Sequence, residues 1–339
     1  MTAMQSFIKF LKEWTLPVAI TVGISLYALF TRLPALIPAG EVLGTWVIRL
    51  FPATVFLTLW ATFCKVDFSA QALRPARWSW ILMFIQLTTT ALLATWAYFS
   101  EGDLRLIAMG AMACTLAPCA TAASIVTAKL GGDISKMTAH ILLSSFTATL
   151  TIPFCASLLT PHAASSESTT WDSSAEILGR VAIVLALPLI LGWVVRHVMP
   201  PLHRWALRHS NLPFYLWGVT LAITTGVTVY GIDHTRLALS TLLAMAVISL
   251  FICLAQFAIG RRVGSRCAYR RQKTPSEAFV AARRAEGGQA LGQKNTALII
   301  WATTTFLHPA AALAPGCYVL WQNIVNSLQI HKHSQKKRL

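Results

Sequence analysis

The stretch RRAEGGQALGQKNT, Arg283 to Thr296, breaks into a segment that runs on through ALIIWATTTFL to Leu307 and is otherwise apolar enough for a membrane span. Within it stand Glu286, Gly287, Gly288, Gln289, Gly292, Gln293, Lys294 and Asn295. A lipid-facing helix does not tolerate such a run. Backbone groups freed at membrane depth must be satisfied by protein or by a water-filled cavity, and an intramembrane Lys or Glu marks a functional site by default. The residues therefore predict a broken span that meets a partner near Pro118, and the two breaks together read as a binding site.

Working outward, 55% of the 339 residues are hydrophobic, 12% are charged, and the mean hydropathy is +0.60. A soluble domain is about one-quarter charged. Here the apolar residues fall in runs of about twenty, the length that crosses a bilayer. The chain reads as an all-α polytopic membrane protein. Its net charge of +16 lies in short segments between the runs, which is the basic bias of an inner membrane face and not a nucleic-acid footprint. The seven cysteines are scattered, so no disulfide framework is implied. Cys114 and Cys119, in CTLAPC, lack metal-ligand spacing and read as small packing residues. No metal or cofactor is expected.

Ten transmembrane helices are expected, at about 14–31, 43–63, 79–99, 105–128, 138–160, 177–195, 212–230, 237–259, 278–306 and 311–330. The first follows a weakly amphipathic start carrying Lys9 and Lys12. It is long for a signal-peptide core, lacks a small-x-small cleavage site, and reads as retained. Lys65, Arg74, Arg77, Lys129, Lys136, Arg196, Arg204, Arg208, the cluster Arg261 to Lys273 and the tail Lys332 to Arg338 alternate with acidic segments. The acidic set is Glu41, Glu101, Asp103, Glu167, Asp172, Glu176 and Asp233. This alternation places both termini in the cytoplasm, with the protein in the cell (inner) membrane. An outer loop at 161–176 separates a first five-helix repeat, 1–160, from a second, 177–330. A basic cytoplasmic tail, 331–339, follows and is expected to touch anionic lipid. Five spans per half give two inverted repeats; the inference rests on hydropathy and position, because no residue-level self-similarity is visible.

In the first half the fourth span, LIAMGAMACTLAPCATAASIVTAKL, is interrupted by Pro118, which removes a helix hydrogen bond and clashes with the preceding turn. Thr115, Thr121, Ser124 and Thr127 surround it. Interrupted helices at matching positions of two halves, here the fourth and ninth crossing at the midplane, are the sequence pointer to a transporter's site. Half-helix ends there present partial charges to ions and anions. Gln86 lies near the middle of the third span, either as a helix–helix hydrogen bond or as part of the site. His140 reads as an interfacial histidine near the inner end of the fifth span. Trp80, Trp193, Trp217 and Trp321 read as interfacial belts.

At these two breaks the sequence resembles the bile acid:sodium symporter family of ten-helix secondary transporters. The family's fourth helix carries a motif of the form CPGGTASN, and Ala117–Ser124 reads APCATAAS, followed by Gly131, Gly132 and Asp133. Its ninth helix reads E-x-G-x-Q-N-S-G-L, whose second part aligns with Gln293-Lys294-Asn295-Thr296-Ala297-Leu298. Its last helix, PGALFSVWHNxxGSL, is similar to Pro315-Gly316, Tyr318 to Asn323 and Asn326-Ser327-Leu328. Gln86 falls near a third-helix glutamine that serves a sodium site in the family.

The departures fall on the sodium ligands that the resemblance implies. The Ser-Asn pair becomes Ala123-Ser124, the fifth-helix hydroxyl positions fall on Met137 and Ile141, and the ninth-helix glutamine becomes Lys294; Glu286 lies too far upstream to align without an insertion. Hard cations want oxygen ligands, whereas lysine offers three donors and no acceptor. The expectation is that the ammonium of Lys294 takes the place of a sodium ion and donates hydrogen bonds to Gln86 and to carbonyls of the broken helices. Transport would then be sodium-independent or proton-linked. The predicted site comprises Gln86, Pro118, Thr121, Ser124, Thr127, Glu286, Gln289, Gln293, Lys294 and Asn295.

The functional expectation is alternating-access transport of a small organic anion, with a sodium-coupled symporter of an organic anion as the alternative. No Walker motif is present to drive a primary pump. No H-E-x-x-H, G-x-S-x-G or paired intramembrane acids point to an enzyme. A membrane sensor or scaffold with a transporter fold is the alternative from another class. Oligomeric state is open.

Overall fold

The computed structural model describes residues 15–64, 74–160, 170–209, 212–234, 237–272 and 274–336. Among these there is no strand, and the helices follow in order: α1 (Thr15–Arg32), α2 (Ile37–Phe63), α3 (Arg77–Phe99), α4 (Gly102–Leu116), α5 (Ala122–Lys129), α6 (Ile134–Leu159), α7 (Thr170–Val198), α8 (Pro200–Arg208), α9 (Leu212–His234), α10 (Leu239–Arg271), α11 (Glu277–Gly292), α12 (Thr296–Phe306) and α13 (Leu313–Lys336). Short 3-10 turns at Pro34–Leu36 and Pro309–Ala312 precede α2 and α13.

Arg77–Phe99, Ile134–Leu159, Ala175–Val198, Tyr215–His234 and Leu239–Arg271 are long and apolar enough to cross a membrane. A further candidate, Val18–Arg32 with Pro34–Val47, is bent by 94°. Outward faces carry Phe84, Phe146, Val247 and Phe251, each more than 60% exposed, while Ala108, Ala111, Ala113, Gly260 and Gly264 face inward. Water does not tolerate that many exposed large apolar side chains on every face; hydrocarbon does. The chain is a polytopic helical membrane protein.

Several boundaries differ from the sequence expectation: α2 begins at Ile37, earlier than expected, and α8 lies in an expected loop. α7 begins at Thr170, inside the expected outer loop; α13 continues to Lys336, into the expected tail; and α10 runs on to Arg271 through the arginine-rich segment expected to be a loop. Arginine is a good helix former, and α10 also has a partner along its whole basic end. The expected features at 1–14, Lys65, 161–169, Lys273 and 337–339 lie outside the described residues.

The helices pack in two groups. α1 lies on α9, α2 on α7, and α2 also on α9. In the other group α3 lies on α4, α10 on α11 and α13, and α4 on both α10 and α13. The tightest pair is α10 with α11. A Cβ on Gly260 would lie 2.1 Å from the Gly287 carbonyl oxygen, and one on Gly264 would lie 2.0 Å from that of Arg283. Small residues four apart let two backbones touch, which is how helices associate where lipid removes the hydrophobic drive. This contact carries α11 alongside α10 until Gly292, where a Cβ would strike the Phe257 ring at 2.4 Å.

The obstructing atoms at Gly264 are backbone, so a side chain there must push the helices apart. Gly264→Val should cost about 1–3 kcal/mol, the usual penalty of overpacking, read as a lowered unfolding midpoint in detergent. Gly179→Ala, on α7 where nothing lies within 4 Å, should leave that midpoint unchanged or slightly raised.

Candidate functional site

Each break follows from local chemistry. Before Pro118 the residue is forced out of the helical region, and Ala117 is extended at φ −52°, ψ 133°. α4 therefore stops at Leu116, and Pro118 lies in an extended strip rather than in a kinked helix. At the second break α11 ends at Gly292, Gln293 is extended, and Asn295 caps α12 by accepting the Leu298 N–H on Oδ1 at 3.2 Å. Asn is a preferred cap for this reason.

The two extended strips run antiparallel and pair. Ala120 N donates to Gln293 O at 2.9 Å, Asn295 N donates to Pro118 O at 2.8 Å, and Cys119 faces Lys294 across the bridge. The N–H groups of this central pair point away from each other, and each is met by a side chain from the helix next after its own broken span. Cys119 N donates to Ser144 Oγ of α6 at 3.0 Å, and Lys294 N donates to Gln322 Oε1 of α13 at 2.9 Å. The arrangement has a local two-fold character. Ser144 and Gln322 were not singled out in the sequence. The signal lay in their positions one helix beyond each break.

The Lys294 side chain, 1% exposed, passes into the core. Its Nζ donates to Gln86 Oε1 at 2.8 Å and to Thr115 O at 3.4 Å. Gln86 Nε2 in turn donates to Ala117 O at 3.2 Å. The amine thus sits at the carboxyl end of α4, where carbonyls carry partial negative charge and would favour a cation. Gln256, also missed in the sequence, serves the same helix end from α10, donating to Cys114 O at 3.4 Å. Tyr318 OH closes the other half-helix by donating to Gly292 O at 2.8 Å.

The remaining predicted residues divide. Thr121, Gln293 and Asn295 line a cavity of about 50 Å³ between the two helix groups, room for a few waters, with Thr58, Trp217 and Thr224 opposite. The amide oxygen of Gln293 is buried without a protein partner. Ser124 Oγ turns back to Thr121 O at 2.8 Å. Gln289 is drawn away, donating to Asn326 Oδ1 at 2.9 Å. Glu286 and Thr127 lie a turn or more from the crossing. Glu286 accepts from Asp133 N at 2.9 Å and from Arg283, tying α11 to the turn between α5 and α6. Thr127 is fully buried with its hydroxyl unpartnered, and its carbonyl accepts from Gly132 N at 2.9 Å. His140 is enclosed by protein. It is 1% exposed, its ring lies 5.4 Å from that of Trp78, and its Nε2 is 3.2 Å from Ala290 O. Trp321 is likewise drawn into the core, donating to Ser249 Oγ at 3.1 Å.

Compared with known families, residues 15–233 match the Sodium Bile acid symporter family. The match covers the first break and ends before the second. A search of curated proteins returns no match to the chain.

Removing the acceptor of a buried ammonium costs more than removing the pair. Gln86→Leu alone should destabilise the protein by about 3 kcal/mol or more, and Gln86→Leu with Lys294→Met should recover most of the loss. Unfolding midpoints of the four proteins of this cycle give the coupling directly.

Proposed function

Because the chain belongs to the sodium bile acid symporter family, whose members are transporters and not enzymes, we propose that it is a secondary transporter of a small organic anion built from two inverted repeats of five spans. The helix pairings support the repeat. Counting α4–α5 and α11–α12 as one broken span each, a shift of five spans turns the α1–α9 pairing into α7–α2, and α3–α4 into α10–α11. Alternating access would come from rocking the group α1, α2, α7 and α9 against the group that holds both breaks.

The charge of the solute is read from the cavity between the groups. Ala120–Ala122 and Gln293–Ala297 line it, so the amino ends of both α5 and α12 face the same space. Helix amino ends favour anions. The buried, unpartnered amide oxygen of Gln293 adds an acceptor at the same place, suited to a donor group of the solute and not to its anionic end.

One observation carries the coupling mechanism: the buried Lys294 ammonium held 2.8 Å from Gln86 Oε1 at the carboxyl end of α4. A fixed amine there supplies the positive charge that a sodium ion would otherwise bring. Transport is then independent of sodium, with Lys294 either exchanging a proton or staying as a fixed charge. Sodium-coupled symport of the same solute is the second reading; the family's name favours it, and the amine opposes it.

The test is uptake of organic anions into vesicles containing the purified protein. Wild type should transport equally in sodium and in choline. Lys294→Gln, which vacates the seat and restores an amide, should lose uptake in choline, with any recovery appearing only in sodium. Wild-type uptake that collapses when choline replaces sodium overturns the proposal.

A further inference from the structure

Between α7 and α9 the chain makes a short helix that the transport reading does not use. α8 starts at Pro200-Pro201, whose rings end α7 and suit a first helical turn. Its sequence, PPLHRWALR, is strongly amphipathic. Ala206, 3% exposed, and the half-buried Leu202 pack against Cys64, at the carboxyl end of α2, and Val195, near that of α7. Around the opposite side lie Arg204 and Arg208, one turn apart and both exposed, for which no ion pair or hydrogen bond is formed among the described residues. Trp205 (43%) and Leu207 (49%) flank them, and Val198 and Met199 extend the apolar edge. The sequence holds no Asp or Glu from 177 to 232.

A helix that docks by two small contacts and exposes both arginines and large apolar groups fits neither water nor hydrocarbon. It fits the boundary between them. Tryptophan and leucine settle at the acyl boundary, and arginine reaches the phosphates above it. The basic run on α10, Arg262 to Arg271, differs in that it continues a 33-residue helix whose glycines pack on α11.

We propose that α8 is an interfacial anchor that binds the headgroups of anionic phospholipids through Arg204 and Arg208, and so ties the ends of α2 and α7 to one membrane surface. Attraction of this kind depends on the charge of the leaflet and is independent of any transported solute.

The test uses the full chain in neutral detergent, with its unfolding midpoint read after adding phosphatidylglycerol, phosphatidylcholine or glycerol phosphate. Phosphatidylglycerol should raise the midpoint of the wild type by mass action, and the other two should raise it little. R204Q/R208Q should lose at least half of the rise, while R204K/R208K and the control R262Q/R266Q keep it. An equal rise with phosphatidylcholine overturns the proposal without any variant. So does a full rise in R204Q/R208Q, or one lost in R204K/R208K. A rise reproduced by glycerol phosphate makes the site one for free phosphate and overturns the lipid anchor.

Discussion

Two hydrogen bonds between broken helices, Ala120 N to Gln293 O and Asn295 N to Pro118 O, are the constraint from which the rest of the structure follows. A helix that stops inside a bilayer releases N–H and C=O groups that lipid cannot satisfy. Two such helices crossing antiparallel satisfy part of each other's deficit, and the remainder must come from neighbours. Ser144 and Gln322 take the outward N–H groups, Gln86 takes the carbonyl of Ala117 and Gln256 that of Cys114, and Tyr318 takes the carbonyl of Gly292. The buried amides and hydroxyls of this core are therefore a shell around one crossing rather than scattered polar residues.

The amine of Lys294 belongs to the same accounting. A buried ammonium is costly unless paired and hydrogen-bonded, and here no carboxylate is its partner. Its compensation is a glutamine oxygen, a backbone carbonyl and the negative end of a half-helix. These groups are the kind that would hold a small metal cation, and the proposed exchange of ion for amine keeps them. Glu286, a buried carboxylate on the same broken span, is committed to Arg283 and the turn at Asp133.

Much of this was legible in the sequence. Pro118 and the run from Gly292 to Asn295 locate both breaks by turn chemistry alone, and Gln86 with Lys294 could be paired once the likeness to the symporter family aligned them. The shell was harder to see. Ser144 looks like any hydroxyl of an apolar helix, and Gln322 and Gln256 become meaningful only when the strips are extended, because their partners are backbone groups that a continuous helix would occupy itself. Gln289, Glu286 and Thr127 stand in the same polar stretches as the crossing residues. Helical rotation sends Gln289 to Asn326, and Glu286 and Thr127 to the neighbouring turn. The length of α10 was hidden because arginine density reads as a loop. The glycines at 260, 264 and 287, which make that end a helix pair, are visible only as contacts between segments.

The claim at the centre is that an amine fills the cation seat at the crossing. Equilibrium binding of radioactive sodium to the purified wild-type protein tests it most directly, since it needs no knowledge of the solute. The account predicts no saturable binding up to physiological sodium concentration. Saturable, stoichiometric binding, displaced by unlabelled sodium and not by choline, would contradict it.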